Sequence, residues 1–446
     1  KDDGGNWQQS TTTIIPSAAN PSFAKFALSG TYTGASHDIL YTNMAVTGTQ
    51  PQVEIKATQT QSAPNNFDHA GESGDCGIAT GNKSGSDYAF TLDHKASYLC
   101  LIPRTSNEYV KRSKLIKVEI TSDDEIAGTY NMAADGTLTL ASGGSKTITV
   151  TTGSGFAIDN TADDMSKNAT YAVVAPGTHK FRIRYWLRNT TDNPNGTIDG
   201  TVSKIVTLNC TAGSIHDITA NLNPHDYDGD HYYMWDAKEQ YWKGYEWTKK
   251  LAAGVGQPTI NRWLSGATTS SNYPQSNADS RWYHEGGGSG RFDATQSCAT
   301  LPNANELSWY VMYGDPRWNA DELWSTMGHL YQGGMWFKKK SVLQADHHYD
   351  TEKSADGTTD MRTTYKYYSN NSSSSILPSA ADAGNYFYLP ALGYYYSGQL
   401  DGVGSGYYWS SSALYSDNVY YLFFNRDYIF VNSDGRTYGR RVGGFE

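Results

Sequence analysis

The stretch Gly406-Tyr-Tyr-Trp-Ser-Ser-Ser-Ala-Leu-Tyr-Ser-Asp-Asn-Val-Tyr-Tyr-Leu-Phe-Phe-Asn425 joins two aromatic blocks through a run of serines. So much apolar ring surface is costly to leave in water, so this segment must be folded. Trp409 is expected to be buried and the serines to turn the chain. Val419 to Asn425 and Tyr428 to Asn432 read as a hairpin, and Asp434-Gly435 turns into a last strand through Arg441-Val442. Upstream, Asn303 with Glu306 three residues on reads as a capping box before a Leu307, Tyr310, Val311 stripe. Asn319 with Glu322 repeats the device before Leu323, Met327 and Leu330, and Gly333-Gly334 would end that second helix. Two helices followed by a loop-rich sheet predict an α+β domain over residues 266–446.

Before residue 223 the pattern changes to period two. His179 to Leu187 places Phe181, Ile183, Tyr185 and Leu187 on one face, and Lys114 to Ile120 and Ser203 to Leu208 alternate in the same way. Asp135-Gly136 and Pro176-Gly177 are turn signals beside strand-like runs. Residues 23–222 are therefore expected to form an all-β sandwich, with a division into two halves near 105–112 as an option. Residues 1–22 read as a tether or mobile first strand. Residues 223–265 form an aromatic connector expected to pack between the domains. The aromatics mark the same step: only 2 of the 12 Trp and 8 of the 34 Tyr lie before residue 226.

The 446 residues suit two or three domains. Charged residues are only 18% of the chain and Gly is frequent at 44 residues, which suits a loop-rich β protein outside the cytoplasm. The net charge of −10, with Lys338-Lys339-Lys340 as the only basic run, argues against a nucleic-acid partner. No apolar stretch approaches the length of a membrane helix. Of the cysteines, Cys76 and Cys100 are the nearest pair and flank a strand-like segment; a local disulfide and two separately buried thiols are both open readings.

Sites for chemistry are few. Asp226, Asp228 and Asp230 place three carboxylates at alternate positions, but the twelfth position of a helix–loop–helix Ca²⁺ site falls on Ala237, so an acidic hinge is the simpler reading. In Asp346-His347-His348-Tyr349-Asp350 adjacent histidines on a strand point to opposite faces, which suits a polar loop better than a metal centre. The sequence holds no nucleophile elbow, His-Glu-x-x-His, Walker loop or dinucleotide fingerprint. A non-enzymatic protein without a cofactor is expected, Ca²⁺ being the one ion left open. The tyrosine runs 394–396, 407–408 and 367–368 cannot all point inward in extended chain, so some rings face solvent. Tyr394, Tyr395, Tyr396, Asp401 and Tyr407 are the candidate ligand-binding residues.

Lys95 to Cys100, Ile126 to Tyr130 and Ala172 to Gly177 resemble segments of the fimbrillin-like family, the pilins and pilus-associated lipoproteins of type V fimbriae, whose sandwich is transthyretin-like. Asp226 to Ala237 resembles the join in members with an added C-terminal domain. Leu301 to Leu307, Tyr408 to Ser412 and Gly439-Arg440-Arg441-Val442 resemble major-paralogous (FISUMP) domains, which are C-type-lectin-like. The resemblance implies a bacterial cell-surface or fimbrial protein associated with the outer membrane, joined to other pilus subunits by strand donation. Lys1-Asp2-Asp3 resembles the residues that follow a lipidated cysteine, which implies a lipid anchor on a preceding residue. A terminal lectin-like domain suits a tip adhesin that binds a host or community glycan or protein. The departures are the absence of an arginine before Arg104, of Glu-Pro-Asn and Gln-Pro-Asp sugar motifs, and of paired lectin cysteines. The alternatives are a structural surface lipoprotein without a ligand, and a metal-dependent hydrolase using Asp346 to Asp350.

Overall fold

Alternation sets the strands of the N-terminal part. In the strand Gly177–Asn193, Phe181, Ile183, Tyr185 and Leu187 are buried, while Lys180, Arg184 and Trp186 are half-exposed. The computed structural model describes residues 1–10, 12–14, 23–46, 50–227, 231–246, 256–258, 260–284, 292–415 and 417–446. The chain divides into two units. The first takes in 1–106, 114–186 and 203–222; the second takes in 107–113, 187–202 and 223–446. No helix among the described residues is long and apolar enough to cross a membrane.

The first unit is built from several sheets, consistent with a β-sandwich. Lys114–Ser122 pairs antiparallel with Thr147–Ala157, setting Val118 against Val150 and Ile120 against Ile148, all four buried. Thr58–Thr60 adds to that ladder in parallel. A separate sheet runs Thr170–Val174, Ser97–Arg104, Ile215–Asn221, with Ser97–Arg104 buried along nearly its whole length as a central strand should be. The Asp135-Gly136 turn forms as expected: Asp135 Oδ1 accepts from Thr137 N at 2.9 Å, and Met132 faces Leu138 across the hairpin.

Two open readings for this unit are narrowed. Residues 1–10 are not a free tether, because Asp3 accepts from Thr33 through its carboxylate and Asp3 N donates to Thr31 O. Cys76 and Cys100 are not joined; all four cysteines are buried free thiols. Cys100 packs with Ile102, Ala169 and Tyr171, whereas Cys76 sits beside Lys95 and Ala96. Burial pushes the Cys76 thiol up to about 12 and that of Cys100 to about 11, so both stay protonated and inert.

In the second unit the capping box at Asn303 and Glu306 forms and starts the helix Ala304–Tyr313. Its Leu307, Tyr310 and Val311 pack with Leu422, Phe424, Ile429 and Val431. Those partners are the inner face of a sheet ordered Tyr232–Tyr233, Arg440–Arg441, Gly406–Ala413, Asn418–Phe424, Ile429–Gly435, Tyr368–Asn370. The expected hairpin is present, with Leu422 facing Val431 and Phe423 facing Phe430. The aromatic segment 232–242 belongs to this unit's own core: Tyr232, Met234, Tyr241 and Trp242 cluster with Tyr395 and Leu400.

The second helix is absent. Residues 317–338 form a hairpin of Arg317–Thr326 and His329–Lys338. Met327 and Gly328, both at positive φ, make its two-residue turn, where glycine has no Cβ to clash. The cap chemistry at Asn319 is real but serves a bulge: its Oδ1 accepts from Asp321 and Glu322 N, where the strand register shifts. The serines at 410–412 do not turn the chain either. They lie within the strand Gly406–Ala413, which bulges between Trp409 and Ala413. Ser410 Oγ donates to Tyr420 O at 2.9 Å, and Ser412 Oγ accepts from Ala304 N at the start of the helix.

Candidate ligand-binding face

Period two divides the aromatic strands between two faces. Tyr408, Tyr420, Leu422 and Phe424 point to the core under the helix; Tyr407, Trp409, Tyr421, Phe423 and Phe430 point the other way. Trp235, Cys298 and Leu301 cover the outer face at Trp409, Ala413 and Val419. Trp235 Nε1 donates to Ser410 O at 2.9 Å and Trp409 Nε1 to Tyr233 O at 2.8 Å, so both buried indoles are satisfied.

The rest of the outer face is a continuous ladder of rings. Phe430 lies 4.5 Å from Phe423, Phe423 5.0 Å from Tyr407, Tyr407 4.5 Å from Tyr394, Tyr394 5.6 Å from Tyr438 and Tyr438 5.0 Å from Tyr396. Both ends reach solvent: Tyr396 is 42% exposed at one, Tyr367 and Tyr428 46% each at the other. One cation braces this ladder. The Arg440 guanidinium, 2% exposed, lies 3.7 Å from the centre of the Tyr421 ring, 4.5 Å from Trp409 and 4.8 Å from Tyr438, and bonds Asp434. Among the described residues its Nε and Nη1 have no polar partner and face rings instead, a cation–π arrangement that fixes ring positions. Burial pushes the Tyr407 phenol up to about 12 against the pull of Arg440, so it remains a neutral donor.

The structure separates the five candidates. Tyr396 is exposed and Tyr394 and Tyr407 are half-buried in the ladder. Tyr395 is a core residue: it is fully buried, and its OH donates to Pro258 O at 2.8 Å. It cannot touch a ligand, because alternation turns it away from its neighbours. Asp401 is also withdrawn, with a side chain 5% exposed, held by Arg262 at 3.0 Å, Tyr394 OH at 3.1 Å and Gly402 N at 2.7 Å. Sequence reasoning missed Arg262, Trp263, Tyr438 and the role of Arg440. Nothing in a local pattern marks Trp263 as 72% exposed when Trp235, Tyr241 and Trp242 of the same aromatic connector are core.

The described carboxylate groups do not assemble into a centre. Among the described residues no group of three or more His, Cys, Asp or Glu could hold a metal ion. Asp226 accepts from Ser325 Oγ at 2.9 Å in a short parallel pairing; Asp228 and Asp230 lie outside the described residues. In the 346–350 segment Asp346 pairs with Lys338, His348 stacks 4.1 Å from Tyr313, Tyr349 OH donates to Glu306 and Asp350 accepts from Glu352 and Lys353 N. These four groups are spent on different partners.

The loop that follows is an ion-pair clasp. Burial pushes the Asp360 carboxyl up, but hydrogen bonds from Arg362 and Asn305 outweigh it and hold the group well below the usual carboxylate range. A depressed folded value contributes stability above the unfolded value near 3.8 that is lost as pH falls through the folded one. Thermal unfolding should therefore show the second unit weakening below about pH 4, and Asp360→Asn should flatten that acid slope. An unchanged slope in the variant would contradict this assignment.

No family model matches the chain, and no curated protein matches it. Among solved structures it is similar to two Bacteroides proteins described as candidate cell adhesion proteins. The one from Bacteroides ovatus is 14% identical, with 44% of this chain and 69% of that one covered at a TM-score of 0.28. The one from Bacteroides uniformis is 17% identical, with 45% and 75% covered at 0.29. A fimbrial protein from Bacteroides ovatus is 13% identical over 86% of this chain and 78% of its own, at a TM-score of 0.17.

Proposed function

We propose that the chain is a non-enzymatic cell-surface adhesin or pilus tip subunit, whose second unit binds a glycan or protein through its outer aromatic face. The observation that carries this reading is the ring ladder ending in exposed Tyr396, Tyr367 and Tyr428. A fold gains by hiding such rings, and rigid Tyr and Trp make contact area at low entropic cost. The helix packed on a loop-rich sheet supports the C-type-lectin-like reading of this unit. In the same reading the β-sandwich part attaches to other pilus subunits by strand donation, and a lipid-bearing cysteine ahead of Lys1 anchors the chain to the outer membrane. No cofactor is required.

The test is an array of glycans and proteins probed with the full chain. Selective binding to some array members is expected; binding to none would sink the proposal. The reading of a structural surface protein without a ligand is favoured by one observation: Tyr395, Tyr408 and Trp409 are all buried. It expects an empty array.

A further inference from the structure

We infer that Trp263 is the stacking platform for a neutral glycan, one pyranose ring lying on its open face and sugar hydroxyls accepting from Arg262. This rests on the reading of the second unit as a ligand-binding unit and names the ligand class within it. Trp263 is 72% exposed, more than any other aromatic side chain among the described large apolar residues. It is nevertheless held in place. Asn261 pairs with Leu400, Arg262 N donates to Leu400 O at 2.9 Å, and Asn261 Oδ1 accepts from Trp263 N. The Arg262 guanidinium lies 4.4 Å from the centre of the indole, and its Nε is 3.0 Å from Asp401 Oδ2. Asp401 is fixed in turn by Tyr394 and by Gly402, whose φ of +62° and close contact with Tyr394 and Tyr407 exclude a side chain there. One indole face is thus covered by a cation tied to a buried carboxylate. The other is open and already oriented, so little freedom is lost on binding.

The surroundings choose among ligands. A cationic group on the open face would meet the charge of Arg262 behind the ring. A polyanion would meet a chain of net charge −10, with Arg262 already balanced by Asp401. An apolar peptide wants aliphatic walls, yet Trp263 here meets Arg262 and Asn261, with Asp401 behind Arg262 and Tyr394 behind Asp401. A flat C–H face edged with hydroxyls suits an aromatic platform flanked by planar donors. Among the described residues Asp401 is the only carboxylate on Arg262, and its outer N–H groups are left to donate.

The experiment titrates the full chain with cellohexaose, mannohexaose and laminarihexaose, with polygalacturonate as the acidic probe. At least one neutral hexasaccharide should bind, about tenfold more weakly in Trp263→Ala, with partial retention in Trp263→Phe and no change in the exposed control Ile376→Ser. Binding should be insensitive to NaCl, since no charge is exchanged. Binding of none of the three, equal binding by Trp263→Ala, or binding only of polygalacturonate would overturn the inference. If the array of the preceding section still shows a protein ligand, only this inference fails; if both are empty, the functional reading fails with it.

Discussion

Asp236→Ala should destabilise the second unit by about 2–4 kcal/mol. Asp236 is fully buried and sits at a φ of +55°, a conformation that Asp and Asn tolerate better than Ala. Its Oδ1 accepts from Gln296 N at 2.7 Å and Cys298 N at 3.1 Å, and its Oδ2 from Thr295 N at 2.7 Å. Alanine leaves the Cys298 amide buried without a partner, while water can reach those of Thr295 and Gln296. The same clasp sets Phe292, Cys298 and Leu301 against Trp409 on the outer sheet face, so the loss would reach the candidate site. Asn keeps one acceptor and the tolerated φ, and should cost about half as much. Denaturant unfolding followed by tryptophan fluorescence reads this directly, because all but two of the 12 Trp lie after residue 225. A change below about 0.5 kcal/mol would show that the clasp is not structural.

Gln59→Leu and Gln61→Leu should each cost the first unit about 2–4 kcal/mol. These side chains replace a missing strand. Gln61 donates to Ala169 O at 2.8 Å and accepts from Tyr171 N at 2.7 Å; Gln59 donates to Val173 O at 2.8 Å and accepts from Val173 N at 2.9 Å. Together they close the open edge of Thr170–Val174, an edge strand of its sheet. Leucine fits the volume but orphans the Val173 amide and carbonyl at position 59 and the Tyr171 amide at position 61, where Ala169 O keeps Asn65 N as a donor at 3.0 Å. Both changes pin one strand, so the double variant should cost less than the sum. Hydrogen exchange at the Tyr171 and Val173 amides should accelerate in the variants; protection equal to wild type would contradict the pairing.

The sequence was most legible where one local rule and the tertiary environment agree. Period two at Phe181, Ile183 and Tyr185 gave a strand because a core lies on that side. The box at Asn303 gave a helix because Leu307, Tyr310 and Val311 had a sheet to meet. It was least legible where a local device serves two structures. Asn319 offers its side chain to the next backbone amides in a helix cap and in a bulge alike, and the pairing of Arg317–Thr326 with His329–Lys338 decides between them. Ser410 and Ser412 looked like turn residues, but their hydroxyls bond strand and helix backbone inside the core. At the site, alternation alone separates exposed Tyr396 from buried Tyr395, whereas Arg440 beneath the rings depends on strands far apart in the chain.

The exposed end rings of the ladder are the proposed contact surface. The most direct test compares array binding by the full chain with that of the triple variant Tyr367→Ser, Tyr396→Ser, Tyr428→Ser. All three rings are exposed, so folding should persist, as near-ultraviolet circular dichroism would verify. The account expects binding to fall about tenfold or more in the variant; undiminished binding by a folded variant would place the contact surface elsewhere and contradict it.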